Sequence, residues 1–253
     1  MQPLTIEEIV SKKPHLEDIF KLYGKVQEFS GLTLESVNGN GVSEGAVAYP
    51  PQLIDAVFER FSSIFGIPEE NLTPLKEAMQ LGQIDFTRLP LKETPAFSLP
   101  YHEDELSPLL FLLSRPFFLA LGKGSRDKQQ AWEKGRCPVC SAQPALSFLG
   151  WDSRRYLACS FCGTTGPAPR IGCPVCLNRD ADTLTIMTIE GDEDFRIETC
   201  SACLSYSKTA RAGVLEAIPP DYADLMSLPL DIIAQGRGYR RNAPNPLGMI
   251  RIA

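Results

Sequence analysis

Cysteine is missing from the first 136 residues of this 253-residue chain, and all eight cysteines lie between positions 137 and 203. That confinement excludes a disulfide framework spread over the molecule. Histidine is scarcer still: His15 and His102 stand isolated in the cysteine-free half and read as solvent-facing or packing groups rather than ligands or bases. Long apolar runs are lacking too. The most apolar, residues 106–121, is 16 residues long, contains Arg115, Pro108 and Pro116, and falls short of the roughly 20 residues a bilayer requires. It reads as a buried helical hairpin. The first 14 residues carry Glu7 and Glu8 and have no basic region followed by an apolar core, so no secretory signal is expected and the cytoplasm is the default location. No phosphate loop or dinucleotide fingerprint is present. Positive charge is not in excess: 25 Lys and Arg face 31 Asp and Glu, a net charge of -6 that argues against a broad nucleic-acid surface.

What is there suits one large domain or two modest ones. Hydrophobic residues make up 43% of the chain and aromatics 9%, enough for a substantial core. Thr5 followed by Glu8 matches a capping box, and Leu16, Ile19, Phe20 and Tyr23 recur at helical spacing through Glu28, ahead of a break at Ser30-Gly31. Asn38-Gly39-Asn40-Gly41 signals a loop between Leu34 and Tyr49. Leu53, Ile54, Val57, Phe58, Phe61, Ile64 and Phe65 trace one face of a helix that begins after Pro50-Pro51 and ends at Gly66. Weaker helical patterns cover Pro74 to Leu81, Glu103 to Gly122 with a kink or break before Pro116, and Asp127 to Glu133. Glu103, Asp104 and Glu105 suit compensation of a helix dipole better than acid–base work. A last helix starts at Pro219-Pro220-Asp221 and carries Leu225, Met226, Leu230, Ile232 and Ile233; from Gly236 the tail is expected to be irregular.

Charge is divided unevenly. Residues 1–135 hold 13 bases and 19 acids, whereas residues 136–253 hold 12 of each, and 11 of those 12 bases are arginine. Arginine's planar fork binds carboxylates bidentately, so this half carries a candidate surface for carboxylate or peptide recognition.

Every cysteine belongs to a Cys-x-x-Cys pair: Cys137/Cys140, Cys159/Cys162, Cys173/Cys176 and Cys200/Cys203. Two cysteines three apart close a knuckle that turns both thiolates toward one cation, and two knuckles complete a tetrahedron. Strand-like runs at Ala145 to Leu149 and Arg154 to Ala158 flank a Gly150-Trp151-Asp152-Ser153 turn, so a hairpin would return Cys159 to Cys137. The second unit repeats the plan, with Thr183 to Ile189 and Phe195 to Thr199 around the acidic turn Glu190 to Asp194. Both read as rubredoxin-type ribbons holding one metal ion each. Four thiolates suit zinc or a single iron, and a closed site offers no open position for hydrolytic catalysis.

Arg136-Cys137-Pro138-Val139-Cys140, Arg155 through Cys162, Cys173-Pro174-Val175-Cys176, and Arg196 through Cys203 with Tyr206 and Lys208 resemble the formate dehydrogenase accessory protein family, FdhE. The tail Gly238-Tyr239-Arg240-Arg241-Asn242 through Asn245-Pro246 is similar to that family's ending. Ser141 stands where the family pattern leads one to expect glycine. The resemblance is specific from about residue 136 to 250. It implies an α+β chain: a helical domain over 1–135, rubredoxin-like (zinc-ribbon-type) modules over 136–168 and 169–212, and a C-terminal helix with an irregular tail over 213–253. It also implies a non-enzymatic cytoplasmic assembly factor that binds the catalytic subunit of a molybdenum or tungsten formate dehydrogenase during maturation. Arg154, Arg155, Arg196 and Tyr206 are the candidate partner contacts. Two other readings remain at this point, a rubredoxin-like redox or electron-transfer protein and a zinc-ribbon nucleic-acid binder; the neutral cysteine half speaks against the last.

Overall fold

A computed structural model describes residues 4–39, 51–84, 99–125 and 130–252. The N-terminal half is helical. Helix α1 (Ile6–Lys12) opens with the expected capping box: Thr5 Oγ1 accepts from the Glu8 N–H at 3.2 Å and Glu8 Oε2 from the Thr5 N–H at 2.8 Å. Helix α2 (Glu17–Gly39) follows, then α3 (Pro51–Phe65), α4 (Glu69–Gln80) and α5 (Glu103–Lys123). Gly66 ends α3 at φ +69°, as expected for a glycine beyond a helix C-terminus.

Ser30-Gly31 does not break α2. Phe29, Ser30, Thr33 and Val37 continue the buried stripe begun by Val26, and that burial outweighs the weak helix propensity of one glycine, about 1 kcal/mol. Residues 34–39 of the expected loop are therefore helical, and 40–50 lie outside the described residues. Nor is 106–121 a hairpin broken before Pro116. It is one 21-residue helix, because Leu113 and Phe117 are buried against α2, α3 and α4 while Phe111 and Phe118 are buried toward the cysteine half. Packing on both sides offsets the backbone bond lost at Pro116. Residues 104–123 also meet the length and composition of a membrane span, with mean hydropathy 1.3 and 44% of the window buried, contrary to the sequence expectation; in this fold the helix joins two cores. The expected helix at 127–133 is not formed over its described part. Gln130 to Trp132 runs extended beside a strand, with the Trp132 N–H bonded to the Pro167 carbonyl at 2.8 Å.

Six short strands follow: β1 (Leu146–Leu149), β2 (Arg155–Ala158), β3 (Thr165–Ala168), β4 (Leu184–Met187), β5 (Phe195–Cys200) and β6 (Ser205–Ala210). Both expected hairpins are present, and each gains a third strand after its second knuckle. The two ribbons do not stand apart. They join through parallel β1 and β6 into one sheet of order β3-β2-β1-β6-β5-β4. The single expected C-terminal helix is three: α6 (Val214–Ala217), α7 (Pro220–Met226) and α8 (Leu228–Gly236). The tail beyond them pairs back on β6 through an isolated bridge between Ser205 and Arg240.

The sheet has two unlike faces. Leu146, Phe195, Ile197, Tyr206 and Ala210 pack against α1, the start of α2, α7 and α8 in one core. Register puts Arg155 and Leu157 on the other face, with Thr209, Ser207 and Ser205 paired across from Arg196, Glu198 and Cys200. That face carries the cysteine sites.

Candidate metal centres

The four knuckles share one backbone device. The residue after each second cysteine has positive φ: Ser141 at 62°, Gly163 at 69°, Leu177 at 63° and Leu204 at 54°. The turn folds the chain back so that the N–H of that residue reaches the first cysteine's carbonyl, at 2.9 Å for Ser141, 3.1 Å for Gly163 and 3.0 Å for Leu177. Both sulfurs of a knuckle then face the same point. Ser141, noted as a departure from glycine, takes the glycine-like conformation.

Hairpin geometry brings opposite knuckles together. Cys137, Cys140, Cys159 and Cys162 form one group and Cys173, Cys176, Cys200 and Cys203 another, each with its sulfurs within 4.8 Å of one another. Across knuckles, Cys137 to Cys162 is 3.5 Å and Cys140 to Cys159 is 3.4 Å; in the second group Cys173 to Cys203 is 3.7 Å and Cys176 to Cys200 is 3.8 Å. A tetrahedron with metal–sulfur bonds of about 2.3 Å has sulfur–sulfur edges of about 3.8 Å, so the donor set fits a four-thiolate ion. The two groups can hold two metal ions.

Protonation supports the fit. Burial pushes the Cys159 thiol well above its ordinary value, with hydrogen bonding to the other three sulfurs acting in the same direction, whereas hydrogen bonds from Cys137, Cys140 and Cys159 hold Cys162 far below it. Four thiols at this range cannot all ionise without a cation among them. In the second group burial raises Cys203, but hydrogen bonds involving Ser205 and Cys176 outweigh it and bring the thiol down to about 7.

The two sites differ in shelter. All four cysteines of the first are buried, and Phe161 in its knuckle meets Phe111 and Phe118 of α5 edge-on at 4.7 and 5.6 Å. Helix and knuckle come so close at Gly122 that a Cβ there would lie 2.1 Å from the Cys162 carbonyl oxygen. In the second site Cys176 is exposed and Cys203 half-buried. The C-terminal tail braces it: the Arg240 N–H bonds the Leu204 carbonyl at 2.7 Å, and Ser205 Oγ meets Asn242 Oδ1 at 3.2 Å.

The candidate partner residues do not form one open surface. Arg154 is exposed and lies 3.6 Å from Asp152. Arg155 is buried, bonded to the Gly172 carbonyl at 2.7 Å and paired with Glu198. Arg196 grips the other oxygen of Glu198 at 2.6 Å. Tyr206 points through the opposite face to Asp231 at 2.6 Å, because strand alternation turns it toward the helices. Sequence reasoning missed the reason Tyr206 and Lys208 sit there. Lys208, Asp224, Asp231 and Arg241 form a buried network in which Lys208 lies 2.5 Å from both aspartates. Its sequence signal was two aspartates seven apart on an otherwise apolar helical face. His15 and His102 enter neither cysteine site.

Comparison with known proteins agrees with this architecture. Residues 171–247 match the family described as FdhE, C-terminal domain. A protein FdhE homolog from Aquifex aeolicus is 29% identical over 238 residues, spanning 88% of this chain and 83% of that protein. One from Pseudomonas putida is 33% identical over 121 residues, 44% of this chain and 37% of that protein. The crystal structure of the FdhE protein from Pseudomonas aeruginosa shares the fold, with a TM-score of 0.60 at 19% identity over 92% of this chain and 89% of the other. Cysteine spacing, paired ribbons and the match along most of a homologous chain lead to one conclusion: residues 171–247 match the FdhE C-terminal domain, and the chain as a whole is similar to FdhE homologs.

Proposed function

We propose that this chain is a non-enzymatic formate dehydrogenase accessory protein, which binds the catalytic subunit of a molybdenum or tungsten enzyme in the cytoplasm during its maturation. The observation that carries this reading is the likeness to an FdhE homolog over 88% of the chain. The site chemistry agrees with it. Four thiolates close each site on itself, so a bound iron or zinc ion has no vacant position for a substrate and supplies rigidity, or one-electron exchange if it is iron. The chain's own residues set that chemistry: the knuckles orient the sulfurs, α5 excludes water from the first site, and the tail supports the second.

An anaerobic affinity pull-down from the native host, with bound proteins identified by mass spectrometry, tests the reading. Recovery of the formate dehydrogenase catalytic subunit is the expected result. Its absence from the eluate while it is expressed in the same cells would sink the proposal. Metal analysis of the same eluate separates iron from zinc.

A further inference from the structure

The sheet face opposite the helical core holds a groove of ≈ 350 Å³ beside the second cysteine site. Three arginines line it, Arg155, Arg170 and Arg196, against one carboxylate, Glu198. Glu198 is already held from both sides, by Arg155 on one oxygen and Arg196 on the other. Arg170 stands on the outer wall, bonded to the Ser153 carbonyl and to no carboxylate among the described residues.

The rim adds apolar surface. Ile171 is 68% exposed and Ile186 60% exposed, and both line the groove. Ile186 lies on β4, the edge strand of the sheet, whose outer side pairs with no strand among the described residues and could take an extended segment. At the opposite edge, β3 already accepts the Trp132 N–H.

We propose that this groove docks an extended segment of a protein client, one that presents a carboxylate flanked by apolar side chains. The charges disfavour a polyanion, and Arg170, which meets no carboxylate among the described residues, favours a single acidic group. The lining side chains sum to +2, but a divalent four-thiolate site at the groove's end carries about -2. Polyanions such as nucleic acid need a larger positive field. A single carboxylate meeting a planar guanidinium fork, with apolar neighbours on Ile171 and Ile186, matches both features. A segment seated there also covers Cys173 and Cys200, which line the same groove. The proposal rests on the partner-binding reading above only for the identity of the client.

The test measures fluorescence anisotropy of labelled peptides with the metal-loaded full chain. One set tiles the host's formate dehydrogenase catalytic subunit; a second is synthetic, with the pattern apolar–acid–apolar, and each peptide has a twin carrying glutamine in place of the acid. Arg170→Glu and Ile186→Asp alter exposed side chains, so metal content and circular dichroism should remain those of the parent. The expected result is that acidic peptides bind, that their glutamine twins bind about tenfold more weakly or worse, and that both variants lose a similar factor. No binding of any acidic peptide at about 1 mM, equal binding of the twins, equal binding by the variants, or equal competition by a single-stranded oligonucleotide overturns the groove. The two proposals fail separately. Synthetic peptides that bind while no tile does leave the groove standing and remove formate dehydrogenase as the client. Tiles that bind the variants as well as the parent keep that client and remove the groove.

Discussion

Ser141, Leu177 and Leu204 each hold a left-handed backbone conformation that a Cβ disfavours by about 1–2 kcal/mol, and they do so at the same place in three different knuckles. The fourth knuckle uses Gly163 and avoids that cost. Leu204 is 49% exposed, so its side chain contributes little burial. Leu204→Gly removes the strain but adds freedom to the unfolded chain, worth about 0.5–1 kcal/mol, which leaves a net gain of about 0.5–1 kcal/mol. Calorimetry of the metal-loaded protein should show a higher Tm; a lower one would mean that the leucine side chain contributes more by contact than its backbone costs. Gly122→Ala has the opposite sign. Its methyl would overlap the Cys162 carbonyl, and forcing α5 away from the first knuckle should cost about 1–3 kcal/mol in chemical denaturation. An unchanged midpoint would mean that the helix shifts freely at that end.

Among the elements, the two ribbons share a design and differ in their covers. Helix α5 and the Phe161 side chain seal the first site, whereas the second has one exposed cysteine and relies on knuckle and tail. A chelator should therefore withdraw metal from the second site first, giving two kinetic phases by release assay. Cys137→Ser should leave only the fast phase and Cys173→Ser only the slow one, each with half the parent's metal; the reverse assignment would contradict the shelter argument. Ligation supplies much of the folding energy of modules this small. Because Arg240 is bonded to Leu204 beside the second site, Cys173→Ser should also raise hydrogen exchange in residues 239–242. Exchange confined to the knuckles would show that the tail is anchored without them.

For the whole molecule, the sheet is tied to the helices by charges far from water. Lys208 on β6 meets Asp224 of α7 and Asp231 of α8, and Arg241 of the tail meets both aspartates. Two cations balance two anions, so the network is neutral and each member is compensated. Lys208→Met leaves the anions in excess and should lower stability by about 3–5 kcal/mol in urea unfolding. A loss below 1 kcal/mol would mean that water enters the core to replace it. Burial alone would raise the Asp231 pKa, yet Lys208 and Arg241 overcome burial and hold it below its ordinary 3.8. A carboxylate depressed in the folded state stabilises above its unfolded pKa and loses that contribution as pH falls through the folded value. The stability gap between the parent and Asp231→Asn should thus be constant near neutrality and shrink below about pH 4. A gap unchanged down to pH 2 would place the stabilisation elsewhere. A second tie acts the same way across the halves: Arg115 of α5 is paired with Asp221 of α7, which also accepts from the Tyr23 hydroxyl of α2 at 2.5 Å.

Local chemistry was legible in the chain itself. Cysteine spacing predicted two groups of four, because a knuckle is a property of four consecutive residues. The capping box at Thr5 and the helix over 51–65 were readable for the same reason: each is decided within a few turns of backbone. Tertiary structure decided what spacing cannot. Burial on two sides carried α5 through Pro116 and α2 past Gly31, overriding signals that end helices in isolation. Pairing of β1 with β6 fused the ribbons into one sheet, and that long-range contact set which face each strand residue occupies. Tyr206 consequently serves the buried network, and Arg155 and Arg196 share Glu198 in a groove that Arg170 completes, an assembly drawn from three separate stretches of sequence.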